Sequence, residues 1–116
     1  MWRVILFRKE NGKEPVTEFL LALQDGDRAK AMQPIKLLTE YGVLLKEPYS
    51  RQVHGKVREL RASGRMGEIR ILYFLHTDRT FVLLNAFVKK TQKTPQREIG
   101  IALKRMKTII NAGGRT

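Results

Sequence analysis

The chain has 116 residues and no cysteine, and its 23 lysines and arginines outnumber 11 aspartates and glutamates, giving a formal net charge of +12. This length suits one domain with a single core. The lack of cysteine excludes a disulfide framework, thiolate catalysis and cysteine metal ligands.

The positive charge favours a polyanionic partner, whether nucleic acid, an anionic membrane or an acidic protein. A basic but otherwise ordinary soluble surface is the alternative interpretation. No apolar stretch approaches the roughly 18 residues of a spanning helix, and no basic segment precedes a long apolar run. We therefore expect neither a signal peptide nor a membrane segment. We expect a cytoplasmic protein.

A strand and a short helix are predicted first. Residues 2–8 are dense in β-branched and aromatic side chains, which is typical of a strand. Pro15 suits the first turn of a helix, where its missing N–H matters least. The apolar residues that follow have the spacing of one helical stripe: Val16, Phe19, Leu20 and Leu23.

A second helix is predicted from a turn at residues 24–27 to about Tyr41, where Gly42 is placed to end it. Pro34 inside this helix costs about 3 kcal/mol and predicts a bend or a break. The inward face is expected to hold Ala31, Ile35 and Leu38.

Residues 44–55 are predicted to form a loop, and residues 56–89 three strands. The connections at 63–67 and 77–79 are short and contain glycine or polar residues, so these strands must pair antiparallel. Thr94 and Pro95 are the expected N-cap and first position of a last helix. Its stripe is Ile99, Ala102, Leu103, Met106 and Ile110.

On that helix, Lys104, Arg105 and Lys107 lie off the stripe and are interpreted as a solvated face. The tail at 112–116 is expected to fray. The element order predicts one compact α+β domain over residues 1–116. Its antiparallel sheet would contain the N-terminal strand and the three-strand meander, packed with two N-terminal helices and a C-terminal helix.

Alternation along the meander separates an apolar face from a cationic one, because successive strand side chains point to opposite faces. The opposite face carries Arg70, Asn85 and Lys89. Arg61 lies on this face too if its neighbours Leu60 and Ala62 point inward. The same alternation then points Arg58 inward as well. The predicted apolar face is Ile69, Ile71, Tyr73 and Leu75 in one strand and Val82, Leu84, Ala86 and Val88 in the next.

Cations on a strand face need an explanation other than packing. Phosphoryl transfer concentrates negative charge on oxygen atoms, and each preorganised donor aimed there contributes about 10² to 10³ in rate. Guanidinium groups suit this task because they stay charged and bind in a bidentate way. Alternatively, Arg61 and Arg70 pair with Glu59, Glu68 or Glu98 as salt bridges of little energetic worth.

Several segments carry a family resemblance: ELR at 59–61, IRILYF at 69–74, LLNAFVKKTQKTP at 83–95 and REIGIA at 97–102. Together with PVTEFL at 15–20 and YG at 41–42, they resemble the phage-derived, HigB-like branch of the RelE/ParE superfamily of type II toxin-antitoxin toxins. The resemblance covers nearly the whole chain.

This resemblance implies a RelE-like fold and an endoribonuclease that needs no metal or cofactor. Such a toxin cuts messenger RNA in the decoding site of the ribosome by attack of a ribose 2′-hydroxyl on the adjacent phosphate. A cognate helix-turn-helix antitoxin would hold it inactive. Carried over by motif, the catalytic residues would be Arg61, Arg70, Lys89 and Lys90. The sequence also lacks a glycine-rich phosphate loop, a histidine-carboxylate cluster and a nucleophilic serine signature.

Two positions depart from the family pattern. Asn85 stands where members often have histidine, which leaves the general base unassigned. Arg58 stands where a bulky apolar or aromatic residue precedes the ELR glutamate. His54 is one candidate base, because histidine titrates near neutral pH. Lys89 or Lys90 is the other, because cationic neighbours lower a lysine pKa.

Further cations are expected to hold substrate phosphates, which makes binding salt-sensitive. Phe87, like Phe74, is placed either to stack on a base or to pack beneath the last helix. The RNA-binding candidates are Lys56, Arg58, Arg65, Phe87 and Lys93.

Two other functions stay open on the sequence. One is a ParE-like inhibitor of DNA gyrase with the same fold and no nuclease activity. The other is a non-catalytic RNA-binding module on this scaffold. The basic cluster favours the nuclease, because a protein-protein inhibitor has no need to converge cations on one phosphate-sized spot.

Overall fold

The computed structural model describes residues 1–91 and 93–113, which form a five-stranded mixed sheet and three α-helices. The predicted α+β class is confirmed. In chain order the elements are β1 (Arg3–Leu6), α1 (Pro15–Ala22), α2 (Asp25–Tyr41), a 3-10 turn (Gly42–Leu44), β2 (Ser50–His54), β3 (Val57–Gly64), β4 (Gly67–Thr77), β5 (Thr80–Lys89) and α3 (Gln96–Gly113).

The strand order is β1-β5-β4-β3-β2, and β2 to β5 pair antiparallel. The prediction for the N-terminal strand is wrong in direction, because β1 runs parallel to β5, from Arg3 opposite Thr80 to Leu6 opposite Leu83. The two helices and three hairpins between these strands return the chain in its starting direction. The class is unchanged, but the sheet is mixed.

The predicted loop at 44–55 contains a strand that the sequence did not reveal. Its end forms β2, which pairs with β3 and places Ser50 opposite Leu60. The pattern was weak because this edge strand is largely solvent-exposed and Val53 is its one apolar residue. The sheet therefore extends one strand beyond the predicted meander.

Helices cover both faces of the sheet, so the protein has a hydrophobic core on each face. Tyr73 lies in the core as predicted, and its hydroxyl shares a hydrogen bond with Ser50. Leu75, predicted to face inward, is 39% exposed. The core under α1 and α2 includes Val16, Ala31, Leu38, Leu60, Ile69, Ile71, Phe81 and Leu83. The core under α3 includes Val57, Leu72, Phe74, Val82, Leu84 and Ala102.

A bulge interrupts the pairing of β4 with β5. Leu72 lies opposite Asn85, but the next residue, Tyr73, lies opposite Leu83. Leu84 is therefore the extra residue of the bulge, and the alternation of β5 shifts by one position there.

This shift explains a wrong prediction. Before the bulge, Phe81 and Leu83 pack under α1 and α2, whereas Val82 and Leu84 pack under α3. Val82 and Leu84 therefore lie on the face of the sheet opposite to the predicted one. Beyond the bulge, Ala86 packs on the α1 and α2 face as predicted.

The first two helices largely follow the prediction. Pro15 stands at the start of α1. The helix α2 runs through the buried Pro34 without the break that proline can cause. Gly42 ends α2 with φ +56°, and a Cβ built on it would lie 1.9 Å from Trp2 Cε2. A side chain at position 42 would therefore collide with Trp2.

The last helix begins one residue later than expected, and the Pro95 carbonyl accepts the Ile99 N–H at 3.2 Å. It continues to residue 113, so the tail is helical at 112–113, and 114–116 lie outside the described residues. Lys104 and Lys107 are exposed as predicted. Arg105 is only partly exposed, and its Nη1 donates to the Leu84 carbonyl at 2.9 Å.

Candidate functional site

A depression of about 720 Å³ lies at one end of the sheet, where β3 ends, β4 begins and β5 ends. Among residues 1–91 and 93–113, its charged lining comprises six cationic side chains and one carboxylate, that of Glu68. We call it the cationic pocket. The cations are Arg51, Arg61, Arg65, Arg70, Lys89 and Lys90.

Strand register brings the predicted catalytic residues together. Arg61 of β3 lies directly opposite Arg70 of β4, and Lys89 of β5 lies opposite Glu68. Two arginines facing each other across an antiparallel pair repel, so this arrangement needs compensating negative charge.

Glu59 supplies that charge from within the sheet. Its side chain is 3% exposed, and Oε2 lies 3.4 Å from Arg70 Nε and 3.7 Å from Arg61 Nε. Among the described residues, neither Nε has a partner that meets hydrogen-bond geometry, so these contacts are ion pairs at longer range. The other oxygen, Oε1, accepts a 2.7 Å hydrogen bond from the Thr94 hydroxyl.

The remaining contacts hold each guanidinium in place. Arg70 is 1% exposed, and its Nη1 donates to Glu68 Oε1 at 3.3 Å and to the Ile69 carbonyl at 3.2 Å. Arg61 Nη1 donates to Glu47 at 3.4 Å. A hydrogen bond from Ser63, then one from Arg70, lowers the pKa of Glu68 against the opposing effect of burial.

The salt-bridge alternative is therefore correct in part. Arg61 and Arg70 do pair with Glu59, and Arg70 also with Glu68. Yet the lining of the cationic pocket keeps a large excess of positive charge. Such an excess suits an anionic ligand.

Lys89 combines burial with cationic neighbours. It is 7% exposed, and burial, followed by the charge of Arg70, lowers its pKa, with Glu59 acting in the opposite direction. Charges on Arg61 and Arg51 lower that pKa further. Lys90, the next residue, is exposed at the rim of the cationic pocket.

Several predicted site residues lie elsewhere. His54 is exposed at the end of β2 and does not line the cationic pocket. Lys56 and Arg58 line a separate depression, and Arg58 points to the α2 side as its parity predicted, where its Nε donates to Ser50 Oγ at 3.0 Å. Phe87 packs against the core under α3.

Of the other RNA-binding candidates, Arg65 does line the cationic pocket. Lys93 is exposed beside it and lines a neighbouring pocket. The functional roles of all these residues stay predictions.

Asn85 has a structural environment that the motif comparison did not suggest. It is 4% exposed, and its Nδ2 donates to the Glu98 carbonyl at 3.3 Å and to Glu98 Oε1 at 2.9 Å. It does not line the cationic pocket. The asparagine therefore ties β5 to the first turn of α3.

Sequence reasoning missed three contributors to this region. Arg51 lies in a segment that the sequence predicts as a loop. The sequence predicts Glu59 as a salt-bridge partner alone, and Thr94 as a helix cap alone. The one available signal was a glutamate two residues from an arginine in a strand, a spacing that puts both on one face.

Within residues 1–91 and 93–113, no group of three or more histidine, aspartate or glutamate side chains is arranged to hold a metal ion. A search of the same residues finds no helix with the length and hydropathy needed to cross a membrane.

The fold and the pocket define a small α+β domain that presents clustered cations at one end of its sheet. Residues 18–107 match the family described as Phage derived protein Gp49-like (DUF891), and the chain belongs to this family. It is a phage-derived, toxin-like family associated with RelE/HigB-like toxins. No curated protein matches the chain.

Proposed function

We propose that this protein is a HigB-like toxin of a type II toxin-antitoxin system and a ribosome-dependent messenger RNA endonuclease. The observation that supports it most is the cationic pocket, where the described residues place six cations and one carboxylate. Guanidinium and ammonium groups bind phosphate oxygens through strong charge-assisted hydrogen bonds. The toxin-like family gives independent support.

In the proposed reaction, a ribose 2′-hydroxyl attacks the adjacent phosphorus atom. The bond from 2′-oxygen to phosphorus forms as the bond to the 5′-oxygen breaks, which leaves a 2′,3′-cyclic phosphate and a 5′-hydroxyl. Arg61 and Arg70 would stabilise the charge that develops on the phosphate oxygens. Glu59 and Glu68 hold these guanidiniums before substrate arrives, so little reorganisation is needed.

Lys89 is the group best suited to transfer the protons. In its neutral form it accepts the proton of the 2′-hydroxyl, and in its charged form it donates one to the leaving 5′-oxygen. A lowered pKa raises its neutral fraction. His54 has less support, because it lies outside the cationic pocket.

The proposed partners are messenger RNA on the ribosome and a cognate helix-turn-helix antitoxin in the same cytoplasm. With a net charge of +12, the chain is complementary to an acidic antitoxin segment. Covering the cationic pocket with such a segment would block RNA directly.

The test adds purified protein to an active cell-free translation reaction and maps new 5′ ends on the messenger RNA. Arg61→Ala removes a lining cation, and Lys104→Ala is the matched control, because Lys104 is exposed on α3 outside the cationic pocket. We expect ribosome-dependent cuts inside codons with wild type and Lys104→Ala, and very few with Arg61→Ala.

An intact message in an unaffected translation reaction overturns the nuclease proposal. A DNA gyrase supercoiling assay would then test the ParE-like alternative. RNA that is bound but never cut, with or without ribosomes, would instead indicate a non-catalytic RNA-binding module.

A further inference from the structure

A second pocket adjoins the cationic pocket and shares two of its lining residues, Arg51 and Lys89. It has a volume of about 290 Å³ and lies between β2, β3 and the segment that leads into α3. A ligand that extends past these two shared side chains passes from one pocket into the other.

The chemistry of this second pocket differs from that of its neighbour. Val53 and Ile99 give it apolar surface, while Thr94 and Gln96 offer neutral hydrogen-bonding groups. Buried Glu59 puts a negative charge in its wall, beside the cations Arg51, Lys89 and Lys93. Apolar surface with a few neutral polar groups is what a planar organic ring requires.

Thr94 has a fixed hydrogen-bonding role in this pocket. Its hydroxyl donates to Glu59 Oε1 at 2.7 Å, so its proton is committed. The oxygen retains its capacity to accept a hydrogen bond from a ligand N–H. Unpaired RNA bases present N–H groups on their Watson–Crick edges, and proteins read them there.

We propose that the second pocket binds the nucleobase adjoining the phosphate held in the cationic pocket. Thr94 would accept a hydrogen bond from the base, and the ring would pack against Val53 and Ile99. Arg51 and Lys89 would contact the connecting ribose phosphate from between the two pockets. This inference rests on the proposed function, since it takes RNA as the ligand.

The test needs no ribosome. The isotope-labelled full chain is titrated with cytidine 5′-monophosphate and, separately, with ribose 5-phosphate, which lacks the base. Both ligands should shift the amide signals around Arg70 and Lys89. The nucleotide alone should shift those of Thr94, Gln96 and Ile99, and it should bind at least about threefold more tightly, as one added hydrogen bond allows.

Two threonine variants separate a base contact from a structural effect. Thr94→Val removes the hydrogen bond to Glu59 for both ligands but the base contact for the nucleotide alone, so it should weaken nucleotide binding roughly three- to tenfold more than ribose 5-phosphate binding. Thr108→Val is the matched control, because Thr108 is exposed on α3 and lines neither pocket. It should change neither affinity.

The failures are distinguishable. If both ligands bind equally and shift the same signals, or if Thr94→Val weakens both alike, the nucleobase pocket is wrong and the phosphate site stands. If neither ligand binds, the phosphate site on which the proposed function depends is wrong as well.

Discussion

The Glu59 carboxylate and the Arg70 guanidinium face each other inside the sheet, with Oε2 3.4 Å from Nε and both side chains almost fully buried. A buried ion pair contributes little net stability over an apolar pair, but losing one partner leaves a costly unpaired charge. This asymmetry determines how variants of the cationic pocket should be designed.

Arg70→Ala should therefore lower the free energy of unfolding by about 3–5 kcal/mol, because Glu59 loses its principal partner. The double variant Arg70→Met with Glu59→Gln should recover a large part of that loss, since no buried charge remains. Urea denaturation of the single and double variants measures both effects. Equal stability of Arg70→Ala and wild type would show that Glu59 does not depend on Arg70.

Arg61→Ala should separate activity from folding. The Arg61 side chain is 25% exposed and pairs with the largely exposed Glu47, and buried Glu59 keeps its shorter contact with Arg70 when Arg61 is removed. The removal should therefore cost about 1 kcal/mol. The rate of message cleavage should fall by about 10² to 10³. Initial rates of cut formation in cell-free translation provide the measurement. A rate close to that of Lys104→Ala would remove Arg61 from the proposed mechanism.

Lys89 should make stability depend on pH in a definite direction. Its pKa in the folded state lies below the ordinary value of 10.5. Between the folded and unfolded pKa values the unfolded chain binds more protons, so stability rises with pH in that window. Below the folded pKa, the charged lysine opposes folding in full.

Lys89→Met should accordingly stabilise the protein near neutral pH, and this gain should shrink as pH approaches 10.5. Urea midpoints of wild type and variant, measured across this range, provide the test. A gain that stays constant with pH would mean that the methionine acts through packing alone.

Two glycine substitutions should have opposite effects. Gly42→Ala puts a Cβ within 1.9 Å of Trp2 Cε2 at a residue with φ +56°, and should destabilise the protein by about 3 kcal/mol or more. Gly100→Ala meets nothing within 4 Å inside α3 and should stabilise it by about 0.5–1 kcal/mol. Thermal denaturation compares the two, and a Gly42→Ala variant as stable as wild type would mean that Trp2 repacks freely.

Local patterns predicted the parts of the fold that depend on neighbouring residues. The stripe containing Val16 and Leu20, the glycine stop at Gly42 and the turns between β3, β4 and β5 follow from spacing and backbone preference. The shared face of Arg61, Arg70 and Lys89 follows from strand alternation and short connections.

The parts that failed depend on distant residues. The parallel pairing of Arg3 with Thr80 leaves no mark in either segment. At the bulge, the Leu84 carbonyl accepts a hydrogen bond from Arg105, which lies on α3. The central place of Glu59 depends on Thr94, 35 residues later in the chain.

The sheet pairs β1 with β5, the two of its strands that lie farthest apart in the sequence. Long-range pairing of this kind forms late, because the intervening chain must be ordered first. The cationic pocket is also incomplete until Lys89 and Lys90 have been added. A nascent chain therefore lacks the proposed active site until its ribosome has translated β5 and the lysine that follows it.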